Sequence, residues 1–117
     1  MEMVSKYFKN DESRETLKGI FKDSDQIVYR VHTYKTGAVY KGQWKGGLRH
    51  GQGSMQWPDN AKYEGQWEYN QACGYGTFYH ADGDVYEGQW QSNKCNGKGV
   101  YTNVNGAKYD GDWKDDQ

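Results

Sequence analysis

Aliphatic residues, proline and cysteine are all scarce in this chain of 117 residues. Only 34% of the chain is hydrophobic, and little of that is Leu, Ile or Val, a balance that ordinarily points to disorder. With a single proline and no serine-rich tract, the chain does not read as a linker. No apolar run comes near the ~18 residues of a membrane-spanning helix, and the N-terminus lacks the charged-then-apolar order of a signal peptide. Glu2 stands where N-myristoylation needs glycine. The expected setting is the cytoplasm, with attachment to cytoskeleton or cilium open, and no transmembrane segment. A large excess of either charge is missing too. The net charge is -1, which argues against the phosphate footprint of a nucleic-acid binder.

What the chain has instead is rings and glycine. Eleven Tyr, five Trp and three Phe accompany sixteen Gly. A buried ring removes roughly 150–250 Å² from water, so a few per structural unit can hold a small fold together without aliphatic residues. The rings are ordered. Tyr40-Lys-Gly-Gln-Trp44, Tyr63-Glu-Gly-Gln-Trp67, Tyr86-Glu-Gly-Gln-Trp90 and Tyr109-Asp-Gly-Asp-Trp113 follow one another at intervals of 23 residues. Gly51-Gln-Gly53, Gly74-Tyr-Gly76 and Gly97-Lys-Gly99 keep the same interval. A fixed period of this size marks a solenoid whose units bury themselves only against their neighbours.

Positions 37, 60, 83 and 106 read Gly, Asn, Gly, Gly, and positions 47, 70 and 93 read Gly, Asn, Asn. Both sets reach positive φ at low cost, so each repeat carries two turns in phase. The segments between them are rich in aromatic and β-branched residues. An all-β, single-layer antiparallel meander of stacked hairpins is predicted. Side chains alternate along a strand, so Tyr40, Gly42 and Trp44 share one face while Lys41 and Gln43 share the other. Gly51 and Gly53 are expected to complete a slot for the neighbouring ring.

Residues 1–27 fall outside the period and form a separate arm. Leu17, Ile20 and Phe21 recur at helical spacing, as do Val4, Tyr7 and Phe8. Asp11 suits an N-cap, with Glu12 and Glu15 early and Lys18 and Lys22 late. The spacing predicts a helix over about residues 12–22. Its apolar stripe either caps the first edge of the solenoid or docks on a partner.

Charge is unevenly spread along the repeats. Arg30, Lys35, Lys41, Lys45 and Arg49 stand without an acid between residues 28 and 50, whereas residues 51–90 set Lys62 against six acids. The basic group is a candidate patch for an anionic ligand. Catalytic and metal-binding constellations are not found. His50, Cys73 and Asn96 occupy equivalent positions, which strand spacing holds about 10 Å apart, far beyond the ~2.0–2.3 Å reach of a zinc ligand. Cys73 and Cys95 miss the period by one residue and are expected to be free thiols. Glu64, Glu87 and Asp110 form a surface ladder rather than an acid–base pair. No catalytic residue, metal or cofactor is expected.

The four Tyr-x-Gly-x-Trp motifs and three Gly-x-Gly motifs resemble the MORN-repeat family, over about residues 28–117. Asn60 departs from the family's usual Gly. Arg30 takes the place of the second glycine of a leading Gly-x-Gly strand, which suggests a degenerate first unit. The resemblance implies an elongated, twisted single-layer β-solenoid with an aromatic groove, acting as a scaffold or binding surface, as in members that resemble axonemal, membrane-junction or cytoskeletal adaptors. Tyr40, Trp44, Tyr63, Trp67, Tyr86, Trp90, Tyr109 and Trp113 are the candidate residues, either packing repeats together or lining a groove for a peptide or helix of a protein partner. A neighbouring subunit at the open C-terminal edge is a second mode of the same function. The alternative is a peripheral module that meets anionic phospholipid through the basic first repeat, where each Lys or Arg is worth about 1 kcal/mol.

Overall fold

The computed structural model describes residues 26–115; the helix expected over about residues 12–22 lies outside them. Eight strands follow one another among the described residues. They are β1 (Ile27–Thr33), β2 (Val39–Lys45), β3 (Leu48–Gln56), β4 (Lys62–Glu68), β5 (Gln71–Tyr79), β6 (Val85–Gln91), β7 (Lys94–Thr102) and β8 (Lys108–Trp113). They lie in one sheet in chain order, each antiparallel to the next. The meander read from the turn positions is therefore the fold, and among the described residues it starts with β1, the strand of the degenerate first unit.

Two kinds of turn alternate. After β1, the Tyr34 N–H donates to Ala38 O (2.8 Å) and the Gly37 N–H donates to Tyr34 O (2.9 Å), and the pattern returns at residues 57–61, 80–84 and 103–107. Gly37, Asn60, Gly83 and Gly106 have φ of 97°, 76°, 104° and 95°, as their positions predict. The second kind is a two-residue turn in which both residues have positive φ: Gly46-Gly47, Tyr69-Asn70 and Ser92-Asn93. Such turns match the twist of the strands they join. Only the second member of each pair was legible in the sequence. The asparagines do more than tolerate the conformation. Asn70 accepts the Arg49 N–H on Oδ1 (2.8 Å) and donates its own N–H to Arg49 O (2.9 Å). Asn93 does the same to Ala72 (2.6 and 3.0 Å). Each turn is thus pinned to the hairpin before it.

Within each hairpin the ladder is interrupted once. Gly42 pairs with Gly53 and Trp44 with Arg49, so Gln43 alone faces His50, Gly51 and Gln52. The same shift recurs between Gly65 and Trp67 and between Gly88 and Trp90. The bulge gives the first glycine of each Gly-x-Gly a left-handed φ, 89° at Gly51, and the glutamine fills the space. Gln43 Oε1 accepts the Gln52 N–H at 2.7 Å, and Gln66 and Gln89 accept those of Tyr75 and Lys98 at 2.6 Å. This corrects two readings. Gln43 does not simply face solvent beside Lys41, and Gly51 is required by the bulge rather than by a ring.

The second glycine does serve a ring. Gly42, Gly53, Gly65, Gly76, Gly88, Gly99 and Gly111 are successive cross-strand partners, a glycine row running straight across the sheet. A methyl group built on Gly53 would fall on the Tyr40 ring, and on Gly76 or Gly99 it would fall on Tyr63 or Tyr86. Each tyrosine lies across this row, and its hydroxyl donates to the carbonyl of Gln43, Gln66 or Gln89 (2.8–2.9 Å). Each motif tryptophan donates its Nε1–H backwards to the preceding strand: Trp44 to Arg30 O, Trp67 to Gly53 O, Trp90 to Gly76 O and Trp113 to Gly99 O (3.0–3.2 Å). The polar ring atoms of these motif tyrosines and tryptophans are thereby satisfied by backbone, as burial demands.

The rings also meet edge to face. Tyr40 stands between Trp44 (4.9 Å) and Trp67 (5.5 Å), Tyr63 between Trp67 (5.2 Å) and Trp90 (5.0 Å), and Tyr86 between Trp90 (5.4 Å) and Trp113 (5.5 Å). These separations fall in the favourable range for T-shaped pairs, worth ~0.5–1.5 kcal/mol each beyond area burial. Met55, Phe78 and Tyr101 lie beside them as cross-strand partners of the tyrosines. The core is this one face of the sheet, and it is aromatic from end to end.

Candidate interaction surfaces

The motif aromatics occupy the inner face. Tyr40, Tyr63 and Tyr86 are 0% exposed and Trp44, Trp67 and Trp90 are buried with them. These six join one repeat to the next and present no ring to an open groove. Trp113 is half-buried, and Tyr109 is 57% exposed.

The five basic residues of the first unit are not brought together. Arg30 pairs with Gly42 and so projects from the inner side of β1, while Lys41, the partner of Val31, projects from the outer side. Lys35 sits in the loop after β1, and Lys45 is half-buried at the end of β2. Arg49 is drawn inside, 6% exposed. Its guanidinium lies 4.8 Å from the centre of the Trp67 ring, its Nη1 donates to the Tyr34 hydroxyl at 2.8 Å, and its Nη2 donates to Asn70 O at 3.1 Å. The next two repeats have Ala72 and Cys95 at that position. Arg49 is thus a packing residue of the first full repeat, and sequence charge counting could not distinguish it from a surface base.

The outer face is the one left open. Along it Val31, Lys41, Ser54, Glu64, Thr77, Glu87, Val100 and Asp110 are successive cross-strand partners. Its charged members stand two strands apart, ~10 Å. A shallow groove of about 450 Å³ runs across the later repeats, lined by Glu64, Tyr75, Thr77, Glu87, Lys98 and Asp110 together with bare glycine backbone. Tyr29, Tyr75 and Tyr79 are exposed on this face. Lys62 bridges the last of them to the ladder, 5.8 Å from the Tyr79 ring and 3.5 Å from Glu64. The ladder itself was legible from the period. The exposed tyrosines were not, because they break the repeat rather than keep it.

One loop-to-loop link stands out from the periodic pattern. Asp84 replaces the alanine found at positions 38, 61 and 107. It accepts the Tyr101 hydroxyl on Oδ2 (2.7 Å) and the Val104 N–H on Oδ1 (2.8 Å). The Tyr101 hydroxyl, helped by the Val104 amide and by His80, holds the Asp84 carboxyl below the usual carboxylate range. Burial, with the Asp84 bond, pushes the Tyr101 phenol well above the ordinary tyrosine value. Since the folded-state pKa of Asp84 is depressed, its stabilisation is present above the ordinary carboxylate pKa and is lost as pH falls through the folded value. The denaturant midpoints of the parent and the Asp84→Ala variant should therefore differ near neutral pH and converge as the pH falls below the ordinary carboxylate range. A gap that stays constant across that titration would show that the carboxylate is not the operative group.

Burial also keeps the Tyr40 and Tyr63 phenols protonated far above their ordinary value, so they are structural donors rather than acids. Cys73 and Cys95 are free thiols, half-buried and buried. Among the described residues no group of three or more His, Cys, Asp or Glu is placed to hold a metal ion, and no helix is long and apolar enough to cross a membrane. What this arrangement offers chemically is a rigid sheet with one sealed face and one presented face. The sequence matches the MORN repeat at residues 40–62, 63–85, 86–108 and 109–117. No curated protein matches the chain.

Proposed function

The chain belongs to the MORN-repeat family over residues 40–117, and from that premise we propose that it is a non-enzymatic protein-binding scaffold, or a small structural subunit, of a larger cytoplasmic assembly of cytoskeletal or ciliary type. The observation that carries this reading is the division of the sheet into two faces. The inner face spends its rings on holding repeats together. The outer face carries a groove lined by Tyr75 and by the regular ladder of Glu64, Glu87 and Asp110. Exposed tyrosine is a favoured anchor in protein interfaces, and spaced carboxylates set the register and charge of what can lie there. On this reading the partner groove lies on the outer face, with Tyr75 rather than the motif rings in its lining.

Crosslinking mass spectrometry in native extract tests this. Lys41, Lys62 and Lys98, all on the outer face, should crosslink to one recurrent protein neighbour, and E64K/E87K should remove that neighbour. Crosslinks scattered over all faces, or unchanged in the double variant, would sink the scaffold reading. The anionic-phospholipid alternative draws less support, because Arg30 and Lys41 point from opposite faces and Arg49 is buried. Vesicles of phosphatidylserine and phosphatidylcholine should accordingly fail to sediment the chain. Salt-sensitive sedimentation lost on reversing Arg30, Lys35, Lys41 and Lys45 would instead favour the membrane module.

A further inference from the structure

The outer-face groove has a floor, two walls and a period, and together they restrict what can lie in it. Its floor is the outer side of the glycine row, Gly65, Gly76, Gly88 and Gly99, where a Cβ would point inward. One wall is the row that carries Glu64, Glu87 and Asp110, and the other carries Tyr75 and Lys98. The walls are residues i and i+2 of the same strands, as at Tyr75 and Thr77, so they stand ~7 Å apart. An α-helix, ~10–12 Å across with its side chains, is too broad to enter. A single extended chain, lying along the glycine row and across the strands, fits.

The period then separates the extended conformations. Glu64, Glu87 and Asp110 come from alternate strands, β4, β6 and β8, and so stand ~9.6 Å apart. A β-conformation repeats its facing every ~6.7 Å and falls out of step with that ladder. A polyproline II segment has three residues per turn at ~3.1 Å each, a repeat of ~9.3 Å. Every third side chain returns to the acidic wall, and over two turns the mismatch is only ~0.6 Å. Of the two residues between, one turns to the wall of Tyr75 and the other to solvent.

We infer that this groove takes a polyproline II segment of another protein with Lys or Arg at every third residue, an assignment that rests on the scaffold reading and gives its partner a chemistry. Charge selects the bases, because the lining holds three carboxylates and one cation, Lys98. Lys62 lies 3.5 Å from Glu64, but the two side chains are 38% and 48% exposed, and such a pair is weak enough to exchange. The ring selects proline. Tyr75 is 61% exposed and belongs to β5, between the strands of Glu64 and Glu87, and proline-rich segments dock on aromatic-lined grooves. Gln52 and Lys98 take its place in the repeats on either side, so the ring fixes where along the ladder a segment settles. Lys41, equivalent to Glu64 one repeat earlier, would repel a further base. The chain does not supply the segment itself, since no three Lys or Arg among its 117 residues stand at successive intervals of three.

The test uses the full chain, isotope-labelled, and two synthetic peptides of identical composition. One is Arg-Pro-Pro repeated in triplicate; the other is Arg-Arg-Arg followed by the same prolines. The first should give saturable amide shifts at Tyr75, Thr77, Glu87 and Val100, weakened by added salt. It should bind at least about fivefold more tightly than the second. Tyr75→Ala should weaken it about tenfold and Glu87→Gln about threefold. Both variants should keep the parent melting temperature, because both side chains are exposed. Equal binding of the two peptides would reveal a charge field without a period and overturn the inference. So would shifts on the inner face, an absence of binding, or tighter binding of a helical peptide with Arg at i, i+7 and i+14, a spacing of ~10.5 Å. Self-association of the chain that the first peptide displaces would also overturn it, because a second copy would then hold the groove. If the peptide fails while the outer-face crosslinks persist and E64K/E87K removes them, the polyproline assignment falls and the scaffold reading stands. If the peptide behaves as expected while the crosslinks scatter, the reverse holds.

Discussion

Replacing Trp67 or Trp90 by alanine should lower the melting temperature by about 15–30 °C in each case. Truncating a buried tryptophan costs ~3–5 kcal/mol, and in a domain of this size each kcal/mol shifts the midpoint by roughly 4–8 °C. The effect belongs at the upper end because each ring does several jobs. Trp67 contacts the tyrosines of two repeats, covers the Arg49 guanidinium at 4.8 Å and binds Gly53 O through Nε1. Its loss leaves an orphaned carbonyl and an uncovered cation as well as a hole. Trp90 joins Tyr63, Tyr86 and Phe78 and binds Gly76 O. Calorimetry of the two variants decides the point. Melting within a few degrees of the parent would mean that the rings do not hold the repeats together.

The same substitution placed at two equivalent positions should give opposite outcomes. Gly88→Ala sets a methyl group against the backbone of Gly99, with Lys98 O at 2.5 Å and the Tyr86 hydroxyl at 2.8 Å. Backbone cannot swing away as a flexible side chain can, so the strands must separate locally, at a cost of about 3 kcal/mol or more. Gly111→Ala, at the same place in the motif, meets nothing within 4 Å. It should be neutral or slightly stabilising, because alanine restricts the unfolded chain more than glycine does. Urea titration of both variants is sufficient. Equal destabilisation would show that glycine is needed at this position for backbone conformation and not for close approach of strands.

Much of this fold could be read from residues that repeat, because each identical residue at a 23-residue interval has an identical task. Tyr40, Trp44 and Gly53 announced the ring stack and its slot. Asn60 and Gly83 announced turns. Gln43, Gln66 and Gln89 repeat as faithfully and carried the same kind of signal, but parity along a regular strand assigned them to solvent. A bulge breaks parity, and nothing in a strand pattern reveals one except the left-handed glycine it needs. Tyr69 and Ser92 were illegible for a different reason. Their positive φ is imposed by the asparagine turn that follows and is not a preference of their own.

The surface was harder to read than the core. Exposed residues are free to differ between repeats, so Tyr75 and Lys98 share a position with no chemistry in common. Arg49 was misplaced by composition. A base is ordinarily solvated, and only the Tyr34 hydroxyl and the Trp67 ring, supplied by other strands, make an interior site for it. Function is legible to the extent that it follows from periodicity. Choice of partner lies in what departs from the period.

The sequential order of β1 to β8 has a kinetic consequence. No strand must find a distant segment before it can form, so closure entropy stays small at every step and assembly can spread by zippering from any nucleus.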